Sequence, residues 1–397
     1  MPYMTPYASP VYFLILLVAL LPAIISLLWK GRHLRIYESV LTLFFLIVSF
    51  GGDHYKQGIA LIVFILWQVA LTFFYSRYRL SKNQTWVFFT LVLLAIAPLA
   101  LTKITPFAFG KVSIVGFLGI SYLTFKAVQV LMEIRDGVLK NYSPLVFLQF
   151  LLFFPTISSG PIDRYRRFEK DLKRVITRDD YLHLLDKGVW YIFLGFFYKF
   201  ILGYLFGTLL LPLVSHSALA NGTFSLGTLE YMYVYSFYLF FDFAGYSLFA
   251  VGASYFLGIE TPMNFNRPFI SSNIKEFWNR WHMTLSFWFR DYVYMRLMFL
   301  ILKKKWFKSR MIASNVGYFA LFLLMGVWHG LTWYYLAYGL YHATWIVLCD
   351  SWGRFKKKHK NLPSNRFTKI FSIVATFHGV ALSFLIFSGF LDKLWFR

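Results

Sequence analysis

Acidic side chains are scarce in this chain. Across 397 residues, 17 Asp and Glu stand against 40 Lys and Arg, and charged residues of either sign make up only 14%. A soluble domain carries nearer a quarter, so a soluble globular protein is excluded. Cysteine is almost absent: Cys349 stands alone, which rules out an internal disulfide and a thiolate metal cluster. The chain also lacks a Gly-x-Ser-x-Gly elbow, a P-loop and a His-Glu-x-x-His pair, so serine-nucleophile, ATP-dependent and zinc mechanisms have no sequence support. No internal repeat suggests two inverted halves of a transporter.

What fills the chain instead is apolar: 58% hydrophobic and 22% aromatic residues. Only helices or closed barrels cross lipid, and the apolar runs are long rather than ten-residue alternations, so the fold class is all-α, a polytopic membrane protein read as a single domain over 1–397. Eleven crossings are expected, at Val11–Trp29, Ser39–Gly51, Ile59–Tyr75, Trp86–Leu101, Val112–Met132, Gly188–Leu211, Leu229–Leu257, Met283–Leu302, Met311–Trp328, Trp333–Cys349 and Phe367–Phe390. Val11–Trp29 is too long for a signal-peptide core and has no small-residue cleavage site after it, so it is kept as a span. The apolar run from Leu145 to Pro161 is too short to cross and reads as re-entrant. The segment from Asp163 to Lys187, with Phe168, Leu172, Val175 and Ile176 at helical spacing, reads as an amphipathic helix on the membrane surface.

The formal net charge of +23 collects in short loops. Lys30, Arg32 and Arg35 form one cluster, Arg77, Arg79 and Lys82 a second, and Arg164 to Arg178 a third. Lys303, Lys304, Lys305, Lys308 and Arg310 form a fourth, and Arg354, Lys356, Lys357, Lys358 and Lys360 the last. The positive-inside rule puts all of them on the cytoplasmic side, with both termini outside. Topology and attraction to anionic lipid account for such charge, and docking of an acidic partner is a second use. Nucleic acid is not indicated, because no soluble domain is left to present the charge.

Of nine histidines, two stand out. From Met311 to Cys349 run 39 residues without Asp, Glu, Lys or Arg, about twice the roughly 20 needed for one crossing. A helical hairpin with its turn near Gly330 is expected, with His329 at the turn. A titratable ring in such sequence faces protein or water and serves a function, and a neutral imidazole there suits general acid–base work. Gly326 and Gly330 let other backbone approach, and Trp328 and Trp333 supply walls. His282 belongs to a run in which Asn279, His282, Ser286 and Arg290 fall three or four apart, one polar stripe on a helix. That stripe lines either a cavity or a headgroup interface. Asp242, a lone intramembrane carboxylate, either orients a histidine or pairs with Arg290 or Arg267. His342 and His378 suit structural hydrogen bonds, His54 and His216 outer loops, and His33, His183 and His359 basic or polar loops.

Several ordered blocks between Leu145 and Cys349 resemble one family, the membrane-bound O-acyltransferases. They are Pro155-Thr-Ile-Ser-Ser-Gly160-Pro161-Ile-Asp-Arg164-Tyr-Arg166, Phe241-Asp242-Phe-Ala-Gly-Tyr-Ser247, Pro262-Met-Asn-Phe-Asn-Arg267-Pro268, Phe277-Trp-Asn-Arg-Trp-His282 and Gly326-Val-Trp-His329-Gly. The resemblance implies helices enclosing a central funnel, with His329 at the family's catalytic histidine and His282 at a second signature position filled by His or Asn. The basic loops and the wording from Gly160 to Phe168 look most like members that carry D-alanine toward teichoic acid. For such a member the resemblance implies no tightly bound cofactor. The donor would be a phosphopantetheine thioester on an acidic carrier protein at the cytoplasmic face of a Gram-positive cell membrane. The acceptor would be lipoteichoic acid or an extracellular acceptor protein. Arg267, Asn279, Asp242, Ser286 and Arg290 would line or brace the funnel. Carrier docking falls to Leu297, Met298 and Phe299 beside Lys303, Lys304 and Lys305. An alginate-type polysaccharide O-acetyltransferase shares the same blocks, and a flippase is the alternative from another class.

Overall fold

The computed structural model describes residues 4–359 and 361–396. Lys360, counted above in the last basic cluster, lies outside them. Helices account for the regular structure and no strand occurs among the described residues. The helices are α1 (Pro10–Lys30), α2 (Arg35–Phe50), α3 (Tyr55–Arg79), α4 (Thr85–Phe109), α5 (Ile120–Arg135), α6 (Pro144–Leu152), α7 (Tyr165–Lys173), α8 (Arg178–Phe196), α9 (Leu211–Asn221), α10 (Leu226–Phe256), α11 (Ile274–Trp278), α12 (Met283–Phe289), α13 (Met295–Lys304), α14 (Arg310–His329), α15 (Trp333–Lys358), α16 (Arg366–Phe387) and α17 (Phe390–Trp395). Local chemistry sets many of their ends. Ser9 accepts from the Tyr12 amide with Pro10 behind it, opening α1, and Asn365 with Thr368 forms a capping box on α16, since first-turn amides lack helical partners.

Among the described residues, seven helical stretches are long and apolar enough to cross a membrane: Pro10–Lys30, Gly52–Arg79, Thr85–Phe109, Arg178–Asn221, Leu226–Phe256, Arg310–His329 and Arg366–Phe387. Each corresponds to an expected crossing. The other four expected crossings fall short for physical reasons. Helices α2 and α5 have 16 residues each, about 24 Å at 1.5 Å per residue, against a hydrocarbon core of about 30 Å. Residues 112–119, counted toward the span at Val112–Met132, precede α5 and are not helical. The Met283–Leu302 stretch is helical, with a widened π turn at Arg290–Tyr294, yet carries Arg290, Asp291 and Arg296. Helix α15 is long enough but diluted by Tyr, Trp, His and Gly.

The chain divides into two compact units. The first comprises residues up to Gly195 together with Tyr246–Met263, and the second Phe196–Gly245 together with the chain from Asn264 onward. In the first unit the expected re-entrant segment is short α6 followed by a 3-10 turn at Phe154–Thr156 and irregular backbone. Irregular backbone at depth requires burial in protein, and Phe154, Pro155, Thr156 and Ile157 are buried. Lys126 on α5, 1% exposed, donates to the Phe150 carbonyl (3.2 Å) and the Thr156 hydroxyl (3.1 Å), and Gln129 donates to the Asp163 carbonyl at 2.8 Å. The predicted surface helix over 163–187 is broken. α7 ends at Lys173, Arg174–Thr177 is extended or irregular, and the charged start of α8 runs on into a spanning stretch. Phe168, Leu172 and Ile176 are buried as expected, whereas Val175 is exposed. The break exists because the Ile176 amide bonds the Gly31 carbonyl at 2.9 Å.

Candidate active site

The candidate site lies within the second unit, built on the hairpin of α14 and α15. The turn is Gly330-Leu331-Thr332, and His329 is the last residue of α14, as the charge-free stretch predicted. Two glycines allow the helices to touch. A Cβ on Gly326 would stand 2.5 Å from the Tyr335 carbonyl oxygen, and one on Gly339 would stand 2.4 Å from that of Phe322, so neither position accepts a side chain without moving backbone. His329 is half-buried, between the rings of Trp328 (4.4 Å between centroids), Phe387 (4.8 Å, edge-on), Tyr335 (5.7 Å) and Tyr338 (6.2 Å). Its ring is thus set against an aromatic wall and is not fully enclosed.

His282 is held differently. The predicted stripe of Asn279, His282, Ser286 and Arg290 on one helix does not form, because the helix stops at Trp278 and restarts at Met283. Between them the chain is clamped by a distant segment: the Asn266 amide bonds the Arg280 carbonyl (2.9 Å), and the Met283 amide bonds the Asn264 carbonyl (2.8 Å). Asn264, fully buried, also accepts from Thr284. His282 caps α12 with left-handed backbone, φ 42°, and its ring is buried against Phe243 (4.8 Å) and Phe265 (6.5 Å). Burial pushes its imidazole pKa down to about 3, so the ring is neutral at physiological pH.

The other three stripe residues do meet. Asn279, Ser286 and Arg290 line a cavity of about 240 Å³ with Lys275, Tyr294 and Tyr318, closed by Trp278, Phe322 and Met325. Tyr318, Phe322 and Met325 follow one face of α14, and Met325 sits one turn before His329, about 6 Å along the axis. At the polar end Lys275 pairs with Asp350. Glu276 accepts from the Ser272 amide (2.9 Å) and hydroxyl (2.7 Å) and from Arg280 (3.0 Å), which fixes short α11.

Asp242 pairs with Lys199, correcting the expected partners. Arg290 bonds its neighbour Asp291 at 2.8 Å, and Arg267 is exposed at φ 45°. Lys199 escaped sequence reading because an isolated lysine in apolar sequence gives no sign of which carboxylate it meets. Asn264 lies within one of the family-like sequence blocks, but spacing alone gives no sign of its clamp. Of the docking set, Lys303, Lys304 and Lys305 are exposed at the end of α13 and Phe299 is 67% exposed. Leu297 is half-buried. Met298 instead turns toward α14, its sulfur 2.9 Å from where a Gly317 Cβ would sit. His342 accepts from Trp278 at 3.3 Å, and a His378 ring nitrogen bonds the Val374 carbonyl at 2.7 Å, the structural roles expected. His216 lies inside α9 rather than in a loop.

Residues 54–368 match the MBOAT, membrane-bound O-acyltransferase family. The chain belongs to that family. It is 55% identical to a teichoic acid D-alanyltransferase of Lacticaseibacillus rhamnosus, covering 99% of each chain, and 52% identical to one of Bacillus subtilis, covering 97% and 98%. A probable alginate O-acetylase, AlgI, of Azotobacter vinelandii is 33% identical over 58% of this chain and 44% of that protein. The chain is therefore a multi-pass membrane acyltransferase of the O-acyltransferase family, and the hairpin histidine and the clamped histidine sit in two of its sequence blocks.

Proposed function

We propose that this membrane enzyme transfers D-alanyl groups toward teichoic acid, taking them from a phosphopantetheine thioester on an acidic carrier protein. Similarity to teichoic acid D-alanyltransferases over nearly the whole chain supports that acyl group over acetyl, since the alginate-type relative matches little more than half of it. The observation that carries the mechanism is the half-buried His329 at a hairpin turn, one helical turn beyond Met325, which lines an amphipathic cavity. Asn279, Ser286, Tyr294 and Tyr318 beside Trp278, Phe322 and Met325 give that cavity a mixed polar and apolar lining, which suits an arm with both kinds of surface. A thioester is already activated, so the protein supplies position and proton transfer. His329 takes the proton from an acceptor hydroxyl, the oxygen attacks the thioester carbonyl, and the carrier thiol leaves with a proton. His282, neutral and clamped, positions the donor. Exposed Lys303, Lys304 and Lys305 with Phe299 receive the carrier.

The test uses the purified protein in lipid nanodiscs with a carrier loaded with labelled D-alanine. His329→Ala should lower the transfer rate by about a hundred- to ten-thousand-fold with elution and melting temperature unchanged. Transfer retained in that variant removes His329 from the mechanism. Equal turnover with an acetyl carrier would favour the acetyltransferase reading instead.

A further inference from the structure

In the first unit, where α3 and α5 end, lies a pocket that the acyl-transfer reading does not use. We infer that it binds the phosphate of an anionic membrane phospholipid. The pocket measures about 250 Å³ and is lined by Ser76, Arg79, Lys140 and Tyr142, with Leu80, Ile134 and Leu139 on its apolar side. Arg79 is oriented there by its own chain: its Nε donates to the Arg135 carbonyl at 3.2 Å, and its Nη2 lies 3.9 Å from the bare side of Gly137. Gly137 lines the same pocket, and no described residue accepts from the two terminal nitrogens of the Arg79 fork. Lys140 likewise meets no acceptor among the described residues. Neighbouring Arg135 is already committed, to Asn83 and to the Thr85 hydroxyl. Asp136, the nearest acid in sequence, does not line the pocket.

Topological charge alone explains basic residues at a helix end, and cations there also complement the helix dipole. Neither requires a concave site or an oriented guanidinium beside an ammonium, the pattern that matches a phosphate. The surroundings favour a lipid over a soluble ion. Helix α3 is a spanning helix whose last residue is Arg79, which puts the pocket at headgroup depth. Leu80 (76%), Phe74 (56%) and Val138 (46%) are exposed in the same neighbourhood. Free phosphate would leave that apolar rim in water, whereas a glycerophospholipid covers it. Basic pockets at the cytoplasmic end of a spanning helix, where the positive-inside rule puts this loop, are suited to lipid headgroups.

The experiment incubates delipidated full-length protein with mixed micelles of equal phosphatidylglycerol and phosphatidylcholine, and quantifies co-purified lipid by mass spectrometry. The native protein should retain phosphatidylglycerol preferentially. Arg79→Gln and Lys140→Gln should each lower that preference by about fivefold, and Arg79→Lys, which keeps charge but not the fork, should lose part of it. Lys356→Gln with Lys357→Gln removes two charges from a different loop and should leave it unchanged. Each variant is first matched to the native protein by elution and melting temperature in phosphatidylcholine alone. Equal retention in native and pocket variants overturns the site, as does an equal loss in the loop control, which would mean bulk charge. Melting-temperature protection by inorganic phosphate equal to that by phosphatidylglycerol overturns the assignment to lipid.

Discussion

His282 shows how one backbone angle constrains a side chain. A non-glycine residue at φ 42° is disfavoured by roughly 1–3 kcal/mol, and His and Asn are among the few residues enriched in that region. The choice of His or Asn that the family resemblance implies at this position would thus have a local reason independent of chemistry. His282→Asn should melt close to the native temperature, while His282→Ala should melt lower, consistent with a loss of about 1 kcal/mol or more. Acyl transfer by the Asn variant then tells whether the imidazole itself is needed. The ring also writes a pH signature. Its folded pKa lies well below the ordinary value of 6.5, so below pH 6.5 the unfolded chain takes up a proton that the folded chain refuses. This contribution to stability is complete above pH 6.5 and falls as pH drops toward 3. The gap in melting temperature between the native protein and His282→Asn should therefore shift in favour of the variant between pH 7 and pH 5. A constant gap would show that the ring is not buried neutral.

At the scale of elements the hairpin of α14 and α15 carries the site, and its helices meet through bare backbone at Gly326 and Gly339. Gly339→Ala should push the helices apart at a cost of about 1–3 kcal/mol, and a shift of His329 from its aromatic wall should lower transfer far more than binding of the donor. Melting temperature and a kcat-against-KM comparison check both halves; a variant with native values would mean the contact is looser than the geometry implies. The hairpin was legible because an uninterrupted charge-free run of twice the crossing length admits few other folds, and a glycine marked its middle. The break between α11 and α12 was not. Spacing of Asn279, His282, Ser286 and Arg290 reports only local periodicity, whereas the break is made by backbone hydrogen bonds from Asn264 and Asn266, more than a dozen residues earlier. Helix α5 was ambiguous for a related reason: most of its residues are buried in protein, and apolar composition alone does not separate that from contact with lipid. Asp242 was readable as a carboxylate needing a partner, but its partner Lys199 depends on which helices pack together.

For the molecule as a whole, the chain leaves the first unit after Gly195, returns for Tyr246–Met263 and leaves again, so that returning segment must be tied to residues far away in sequence. The tie is ionic. Arg167 on α7 bonds Asp163 (2.6 Å) and Asp171 (2.9 Å) and the carbonyl of Glu260 on the returning segment. Asp171 accepts from the Glu260 amide at 2.9 Å, and Arg174 pairs with the Glu260 carboxylate at 2.8 Å. Asp163 and Asp171 are buried, 3% and 4% exposed, so removing the guanidinium strands two carboxylates in protein. Breaking such a pair from one side costs about 3–5 kcal/mol, far more than the surface ion pairs elsewhere on this basic chain. Arg167→Ala should therefore lower the melting temperature markedly and open the chain near Gly258–Thr261 to limited proteolysis, while Lys173→Ala, whose exposed ammonium pairs with Glu169, a carboxylate outside the buried core, should do neither to a comparable degree. If Arg167→Ala melts like the native protein and resists cleavage there, the returning segment is held by its apolar residues Leu257 and Ile259 instead, and the ionic tie contributes specificity of pairing rather than stability.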